Sequence, residues 1–276
     1  MQVNRLAFFR KGAGEPWYHF ASQPFRLAGG TMATFVLIHP AWFGGWCWNK
    51  LTPLLRAQGH QVYTPTLTGL GERAHLVHRA VVLDTHVEDV VEVLKYEDLS
   101  QVILVGNSSG GMVITGVADR APERLAQVVY LDAFVPEDGE SLFDNLPPER
   151  QRAMETLVAS EGEGWLLPRF ALPPWERILR ELWSVTDETD QRWALARLVA
   201  TPLAHFKQPL RRGNPHAASL PRRFIRCHQW ASAIFDRYAE QARRSEGWTT
   251  HELAASHLPF ITHPHELTAL LLEIAA

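Results

Sequence analysis

The sequence has few cysteines and no excess of positive charge, so it has the features neither of a disulfide-stabilised protein nor of a nucleic-acid-binding protein. Only two cysteines, Cys47 and Cys227, occur in 276 residues, and their wide separation fits neither a disulfide framework nor a zinc spacing. The formal net charge is -3, and the scattered arginines form no basic stripe, so we expect no nucleic-acid partner. With 46% hydrophobic residues, the chain is long enough for one large domain with a buried core.

Long apolar segments are also missing. No run reaches the roughly 18 residues that a membrane span needs, and the N-terminus lacks the apolar core of a signal peptide. We therefore expect a cytoplasmic protein with no membrane partner. Of the 13 histidines, His75, His78 and His86 fall in a polar loop and a helix start without the carboxylate pattern of a metal site. We predict no metal there.

Residues 1–31 are set apart from the rest by composition. They are rich in Arg, Gly, Pro and isolated aromatic residues and show no sustained helical or strand period. We expect an N-terminal arm outside the core, followed by one domain at residues 32–276. Met32 directly precedes the first strong strand pattern, so the sequence leaves open whether residues 1–31 are a translated leader or a native arm.

The pentapeptide GNSSG at residues 106–110 carries the strongest chemical signal, because it fits the serine-nucleophile pattern G-x-S-x-G. Residues 102–105 form a continuous apolar run typical of a buried parallel strand, and residues 112–121 favour a helix. In this context the glycines allow a tight turn that leaves Ser108 strained and exposed. Ser108 is the predicted nucleophile; Ser109 is a second candidate, off the centre of the motif.

Strand and helix patterns alternate along the rest of the chain, as in an α/β protein. Strands are predicted at residues 35–38, 61–64, 125–131, 222–227 and 248–253, and helices at residues 46–58, 85–97, 234–244 and 264–274. Residues 133–221 break into helix-like pieces with no strand between them. An insertion of this length between sheet strands is usually functional, so we predict a helical lid.

Other positions complete a candidate serine-hydrolase site. One oxyanion amide comes from the residue after the nucleophile, here Ser109, and the other from the loop after an early strand. In that loop Ala41 is the best-placed donor, because Pro40 has no N–H. Asp132 ends a predicted strand and so lies at the carboxyl edge of the sheet. His257 precedes the final helix, where the chain order Ser, acid, His places the base.

Five segments together resemble one group of proteins: FVLIHPAWFGGWCW, ILVGNSSGGM, VYLDAFVPEDG, RRFIRC and SHLPFITHP. They resemble the α/β-hydrolase group of plant methylesterases and hydroxynitrile lyases, and bacterial esterase-like members look most similar. The resemblance covers about residues 32–276 and implies the α/β-hydrolase fold, a mostly parallel sheet flanked by helices with a helical lid at about residues 133–221. It places the nucleophile, base and oxyanion donors at Ser108, His257, Ala41 and Ser109.

The chain departs from this group at three positions. Hydroxynitrile lyases of this type have a threonine directly after the early histidine and a lysine directly after the catalytic histidine, where this chain has Pro40 and Leu258. Cyanohydrin cleavage is therefore not expected. The group also usually reads Cys-x-x-Asp after its penultimate strand, and here Trp230 replaces the acid. We predict that Asp132 orients the base, and Asp236 is left open as the alternative.

These residues predict a carboxylic ester hydrolase, with a small-molecule substrate and no cofactor, in which Ser108 attacks the carbonyl and His257 carries the proton. Aromatic residues indicate an apolar or aromatic substrate, with Trp42 at the site and with Trp165, Phe170 and Trp175 in the insertion; packing within the lid is the equal alternative for each of them. Two other classes stay open on the same fold. One is a cofactor-independent lyase or oxygenase in which His257 deprotonates the substrate, and the other is a small-molecule binding protein with little turnover. A homodimer is also left open.

Overall fold

The computed structural model describes residues 32–169 and 177–276. The predicted arm at residues 1–31 and the aromatic residues Phe170 and Trp175 lie outside the described residues. The strands within them are, in chain order, β1 Thr34–Ile38, β2 Gln61–Tyr63, β3 Val102–Ser108, β4 Leu125–Ala133, β5 Leu166–Leu167, β6 Thr201–Pro202, β7 Arg222–Cys227 and β8 Trp248–Leu253. Six of them form a parallel sheet in the order β2-β1-β3-β4-β7-β8.

Helices flank this sheet. The α-helices of the described residues are α1 Thr52–Ala57, α2 Leu83–Tyr96, α3 Gly110–Arg120, α4 Pro148–Glu161, α5 Glu188–Leu195, α6 Leu203–Lys207, α7 Pro215–Ala218, α8 Ala233–Arg244, α9 Pro259–Thr262 and α10 Pro264–Ala275. In the part of the chain that the structure describes, no helix is both long and apolar enough to cross a lipid bilayer.

The sheet separates two apolar layers, because successive strand residues point to opposite faces. In β1, Val36 packs into the layer under α2, α3 and α8, and Leu37 packs into the layer under α1, α9 and α10. Both faces are therefore covered, which explains why the central strands β1 and β3 contain continuous apolar runs instead of an alternating pattern. Burying each such side chain contributes roughly 1.5–3 kcal/mol to folding.

The α/β-hydrolase fold predicted from the sequence is confirmed, and β7 and β8 have the predicted bounds. The single helix predicted at residues 46–58 is wrong: a 3-10 helix, Gly45–Lys50, precedes α1. Pro53 explains the break, because it lacks the N–H that a continuous helix would need there. The prediction of no strand within residues 133–221 is also wrong, since β5 and β6 pair antiparallel. Two residues are too few to show a strand period.

Close packing of α3 on the end of β4 requires glycine at Gly111. A Cβ at this position would lie 2.0 Å from the carbonyl oxygen of Phe134 and 3.0 Å from the Cβ of Ala133. Backbone atoms cannot rotate away as a flexible side chain can. The glycine therefore sets how closely the helix that follows Ser108 approaches the neighbouring strand.

Replacing Gly111 tests this packing. Gly111→Ala should lower the free energy of unfolding by about 1–3 kcal/mol or more, because the backbone must move to admit the methyl group. Gly213→Ala is the matched control, since a Cβ there would meet no atom within 4 Å, and we expect a change within about 0.5 kcal/mol. Urea denaturation measures both, and equal stability of the two variants would contradict the packing argument.

Candidate active site

Ser108 is the last residue of β3 and lies at the carboxyl edge of the sheet. Its φ of 54° is in the left-handed region, which costs a residue with a side chain roughly 1–3 kcal/mol. The turn is also tight, because a Cβ on Gly106 would lie 2.7 Å from the carbonyl oxygen of Gly110. The structure therefore has the strained strand-turn-helix that the G-x-S-x-G pattern predicts, and Ser108 lines a cavity above the sheet.

Asp132 occupies a β-bulge in the neighbouring strand. Asn107 is paired with Leu131 and Ser108 with Ala133, so Asp132 is an extra residue in β4 with no partner in β3. Its φ is 46°, a conformation that aspartate tolerates better than most residues. Bulges change the direction of a side chain near functional sites. Here the fully buried carboxylate reaches His257, with 2.8 Å between Oδ2 and the imidazole Nδ1.

Three further donors hold the Asp132 carboxylate. Trp230 Nε1 donates to Oδ2 at 2.6 Å, Arg226 Nη1 donates to Oδ1 at 3.0 Å, and the Cys227 amide donates to Oδ1 at 3.2 Å. Both carboxylate oxygens are thus satisfied away from water, as a buried charge requires. Trp230 stands where the resemblance led us to expect an acid, and its indole binds an acid supplied by another strand.

Arg226 links Asp132 to Asp236. Its Nε lies 2.7 Å from Asp236 Oδ1, and its Nη2 donates to the carbonyl oxygen of Trp230 at 3.0 Å. Burial alone would lower the pKa of Arg226, but the two carboxylates outweigh burial and raise it. The Asp236 side chain is 62% exposed and binds the outer side of the guanidinium. The structure therefore brings Asp132, and not Asp236, to His257.

The backbone and the ring of His257 are both held in place. Its amide donates to the carbonyl oxygen of Trp183 at 3.1 Å, and its carbonyl oxygen accepts from Asn107 Nδ2 at 3.1 Å. The ring centroid lies 4.4 Å from that of Trp230, 5.4 Å from Phe235 and 5.5 Å from Trp183. The imidazole is thus packed among three aromatic rings, with Nδ1 directed at the carboxylate.

This contact sets which ring nitrogen of His257 can act as a base. An ionised carboxylate only accepts hydrogen bonds, so Nδ1 carries the proton and Nε2 of the neutral ring has a free lone pair. His257 and Ser108 line the same cavity. Among the described residues no hydrogen bond joins the Ser108 hydroxyl to His257. Bonds of this kind often shorten only when substrate is bound.

The two predicted oxyanion donors also come together at this cavity. Ala41 lies in the loop after β1, and its amide donates to the hydroxyl of Ser109 at 2.7 Å. Both residues are buried and line the cavity beside Ser108. The side chain of Ser109, predicted from the sequence only as a second candidate nucleophile, is therefore a hydrogen-bonding group in this corner of the site.

The cavity has a volume of about 470 Å³ and a mainly apolar wall. The insertion between β4 and β7 supplies one side of it, including Leu146, Met154 and Phe206. Trp42 lines the cavity, with its ring centroid 5.7 Å from that of Phe206. For Trp165, which the sequence left as either a sign of an aromatic substrate or packing within the lid, the structure favours packing. Trp165 is not part of the cavity wall, and its ring packs under Arg79 at 5.4 Å.

Residues 35–270 match the family model described as "Alpha/beta hydrolase family". The chain belongs to the alpha/beta hydrolase family. A carbendazim hydrolyzing esterase of Nocardioides sp. (strain SG-4G) is 40% identical over 245 residues, which cover 87% of this chain and 98% of the relative. Salicylic acid-binding protein 2 of Nicotiana tabacum is 28% identical, over 87% of this chain and 96% of its own. This alpha/beta hydrolase is thus an enzyme of the esterase type, related to bacterial esterases and plant methylesterases as predicted.

Solved structures agree with the fold of this alpha/beta hydrolase. An extracellular alpha/beta-hydrolase from a Paenibacillus species has a TM-score of 0.74 at 24% identity, over 88% of this chain and 99% of its own. A pyrethroid hydrolase from Sphingobium faniae has a TM-score of 0.71 at 24% identity, over 89% of this chain and 98% of its own. Because the Paenibacillus protein is extracellular, the cytoplasmic location stays a prediction.

Sequence reasoning missed several residues of the site of this alpha/beta hydrolase. Arg226 had a readable signal, because a charged residue between the apolar residues Ile225 and Cys227 of a strand must find a partner. Trp183 and Phe235, which pack on the base, had no such signal, since both look like ordinary core residues.

His86, which was predicted in a polar context, is buried against His205 with 2.9 Å between the two Nδ1 atoms.

His39 anchors the loop that carries Ala41. Its Nδ1 lies 2.9 Å from the carbonyl oxygen of Pro40, and its Nε2 accepts the amide of Leu67 at 3.1 Å. The first contact requires a proton on Nδ1 and the second requires none on Nε2, so the ring must be neutral. Burial is the main cause that lowers the pKa of His39 to about 4.

His39 should therefore make stability fall in acid. The unfolded chain binds a proton at this position near pH 6.5, whereas the folded chain does so only near pH 4. Between these values the unfolded state binds more protons, so the free energy of unfolding decreases as the pH is lowered, by at most about 3 kcal/mol for this residue.

We expect the free energy of unfolding of His39→Gln, measured by chemical denaturation across this pH range, to change less steeply with pH than that of the parent. The variant should be less stable than the parent at neutral pH. Exposed His78 provides the matched control, and His78→Gln should keep the parent slope. If the free energy of unfolding of His39→Gln depended on pH as steeply as that of the parent, groups other than His39 would cause the acid sensitivity.

Proposed function

We propose that this esterase cleaves a carboxylic ester through an acyl-enzyme formed on Ser108. The observation that carries the proposal is the 2.8 Å contact between Asp132 Oδ2 and His257 Nδ1, at the edge of the cavity that Ser108 also lines. A serine hydroxyl is a weak nucleophile and needs an adjacent, oriented base. His257 has the free nitrogen for this role, and Asp132 holds the ring in the required tautomer.

The mechanism runs in two halves. Ser108 Oγ attacks the ester carbonyl carbon while His257 Nε2 takes its proton, and the carbonyl electron pair moves onto the oxygen, which is held at Ala41 and Ser109. The intermediate then expels the alcohol, which receives the proton from His257. Water repeats the sequence on the acyl-enzyme and restores Ser108. Asp132 stays ionised throughout and stabilises the imidazolium.

The cavity supports a small apolar or aromatic substrate. Its volume of about 470 Å³ is in the range of small-molecule sites, which are mostly apolar with a few directed polar groups. Trp42, Phe206 and Trp183 present aromatic surface next to the proposed nucleophile. The 40% identical relative is an esterase that hydrolyses carbendazim, which supports ester-type hydrolysis by this chain.

The main argument for the lyase and oxygenase alternatives was that Trp230 stands where an acid was expected after Cys227. Asp132 supplies a carboxylate to His257 from β4 instead, which weakens that argument. The binding-protein alternative predicts little turnover with any ester. We therefore keep ester hydrolysis as the function that the geometry supports best.

Single substitutions test the proposed roles. Ser108→Ala should abolish hydrolysis of short and aromatic acyl esters, because no nucleophile remains, while the melting temperature stays near that of the parent.

Asp132→Asn should lower kcat by orders of magnitude, toward the roughly 10⁴-fold loss known when such an acid is neutralised. Asp236→Asn is the matched control and should change kcat little, since Asp236 contacts only the outer side of Arg226 in this network.

Initial rates over a panel of esters, with unfolding curves for each variant, provide the measurement. Activity of Ser108→Ala within a few-fold of the parent would refute the acyl-enzyme mechanism. A collapse of activity in Asp236→Asn with a fully active Asp132→Asn would reverse the assignment of the acid.

A further inference from the structure

Ser109 follows the proposed nucleophile and places a hydroxyl group at the oxyanion corner of the site. The side chain is buried, with 4% of the residue exposed, and it lines the cavity with Ser108 and Ala41. Its oxygen lies 2.7 Å from the amide nitrogen of Ala41. The donor predicted to hold the oxyanion directly is thus bound, in this structure, to the hydroxyl of a residue that lines the cavity.

The direction of this hydrogen bond can be deduced. An amide N–H only donates, so the Ser109 oxygen accepts, and the hydroxyl keeps one proton of its own to donate. Among the described residues the Ser109 hydroxyl donates no hydrogen bond. A buried hydroxyl normally finds a partner. Because Ser109 lines the cavity beside Ser108, the oxygen of a bound substrate carbonyl is a suitable acceptor for this proton.

We infer that the Ser109 hydroxyl is a catalytic group that donates its proton in a hydrogen bond to the oxyanion, and that the Ala41 amide acts through it. This inference rests on the proposed ester hydrolysis. When Ser108 Oγ forms its bond to the carbonyl carbon, the carbonyl electron pair moves to oxygen and the serine proton passes to His257 Nε2. The new negative charge then accepts hydrogen bonds from the hydroxyl and from the amide of Ser109.

The pairing with Ala41 strengthens this donor. A hydroxyl that accepts a hydrogen bond from an amide is polarised and donates more strongly, and bonds to an ionised oxygen are roughly twice as strong as neutral ones. The charge exists only after attack, so the contact stabilises the transition state more than the bound ester. Its loss should therefore lower kcat and leave KM nearly unchanged.

A second role for the same contact predicts the opposite result. If the Ser109 hydroxyl only fills the oxyanion position and must rotate away, its removal frees the Ala41 amide to bind the oxyanion directly. The catalytic rate of Ser109→Ala would then equal or exceed that of the parent. The two roles are separated by the sign of the change in kcat.

The test compares the parent, Ser109→Ala, Ser109→Thr and the exposed control Ser219→Ala on one aromatic ester. Ser109→Ala should lower kcat by about 10- to 100-fold, at or below the range for loss of one oxyanion donor, with KM within about twofold. Ser109→Thr keeps the hydroxyl and should recover most of kcat. A trifluoromethyl ketone, which forms a tetrahedral oxyanion with an active-site serine, should bind Ser109→Ala more weakly by a similar factor. Ser219→Ala should match the parent.

An unchanged or raised kcat in Ser109→Ala, with the ketone bound as tightly as by the parent, would overturn the inference. Unfolding curves show whether each variant is folded, and if Ser109→Ala is not, Ser109→Cys gives the same comparison with a weaker donor of similar size. Ser108→Ala separates the two proposals. If it is inactive while Ser109→Ala equals the parent, only the Ser109 inference fails; if Ser108→Ala stays active, or the parent hydrolyses no ester, both fail.

Discussion

A fully buried carboxylate, that of Asp132, determines the arrangement of the candidate site. An ionised group without water is stable only when opposite charge and hydrogen bonds replace its hydration, and removal of one partner from a buried ion pair typically costs about 3–5 kcal/mol. Arg226, Trp230, the Cys227 amide and His257 supply these contacts. The same requirement therefore fixes the end of β7, the turn that follows it and the orientation of the imidazole.

This network supplies the proposed base with a carboxylate although the sequence has no acid at the third position after Cys227. The position after Cys227 where the resemblance predicted an acid carries Trp230, whose indole donates to a carboxylate from the adjacent strand. The bulge at Asp132 makes the substitution possible, because it turns a residue at the end of β4 toward His257. In the proposed mechanism the carboxylate that orients the base comes from Asp132 in β4 instead of from the turn after β7. The base, His257, keeps its expected position before the final helix.

The sequence predicted the parts of the site that depend on local pattern. The elbow at Ser108, the strands β7 and β8 and the loop position of His257 all follow from apolar runs, glycines and chain order. The bulge at Asp132 left no local signal, because residues 125–131 read as one continuous strand that simply ends in an acid. Long-range pairing decided that register, and long-range packing likewise placed Trp183 and Phe235 on the imidazole.

The rate at which a fluorophosphonate labels Ser108 tests the central claim most directly, because the reaction needs an activated serine and no particular substrate. Intact-mass measurements over time, with peptide mapping to locate the adduct, give the rate for the parent, Asp132→Asn and Asp236→Asn. The Asp132 network predicts rapid labelling at Ser108 in the parent and in Asp236→Asn, and a rate at least about 100-fold lower in Asp132→Asn. Equal labelling of the parent and Asp132→Asn would contradict the claim that this buried carboxylate orients the base.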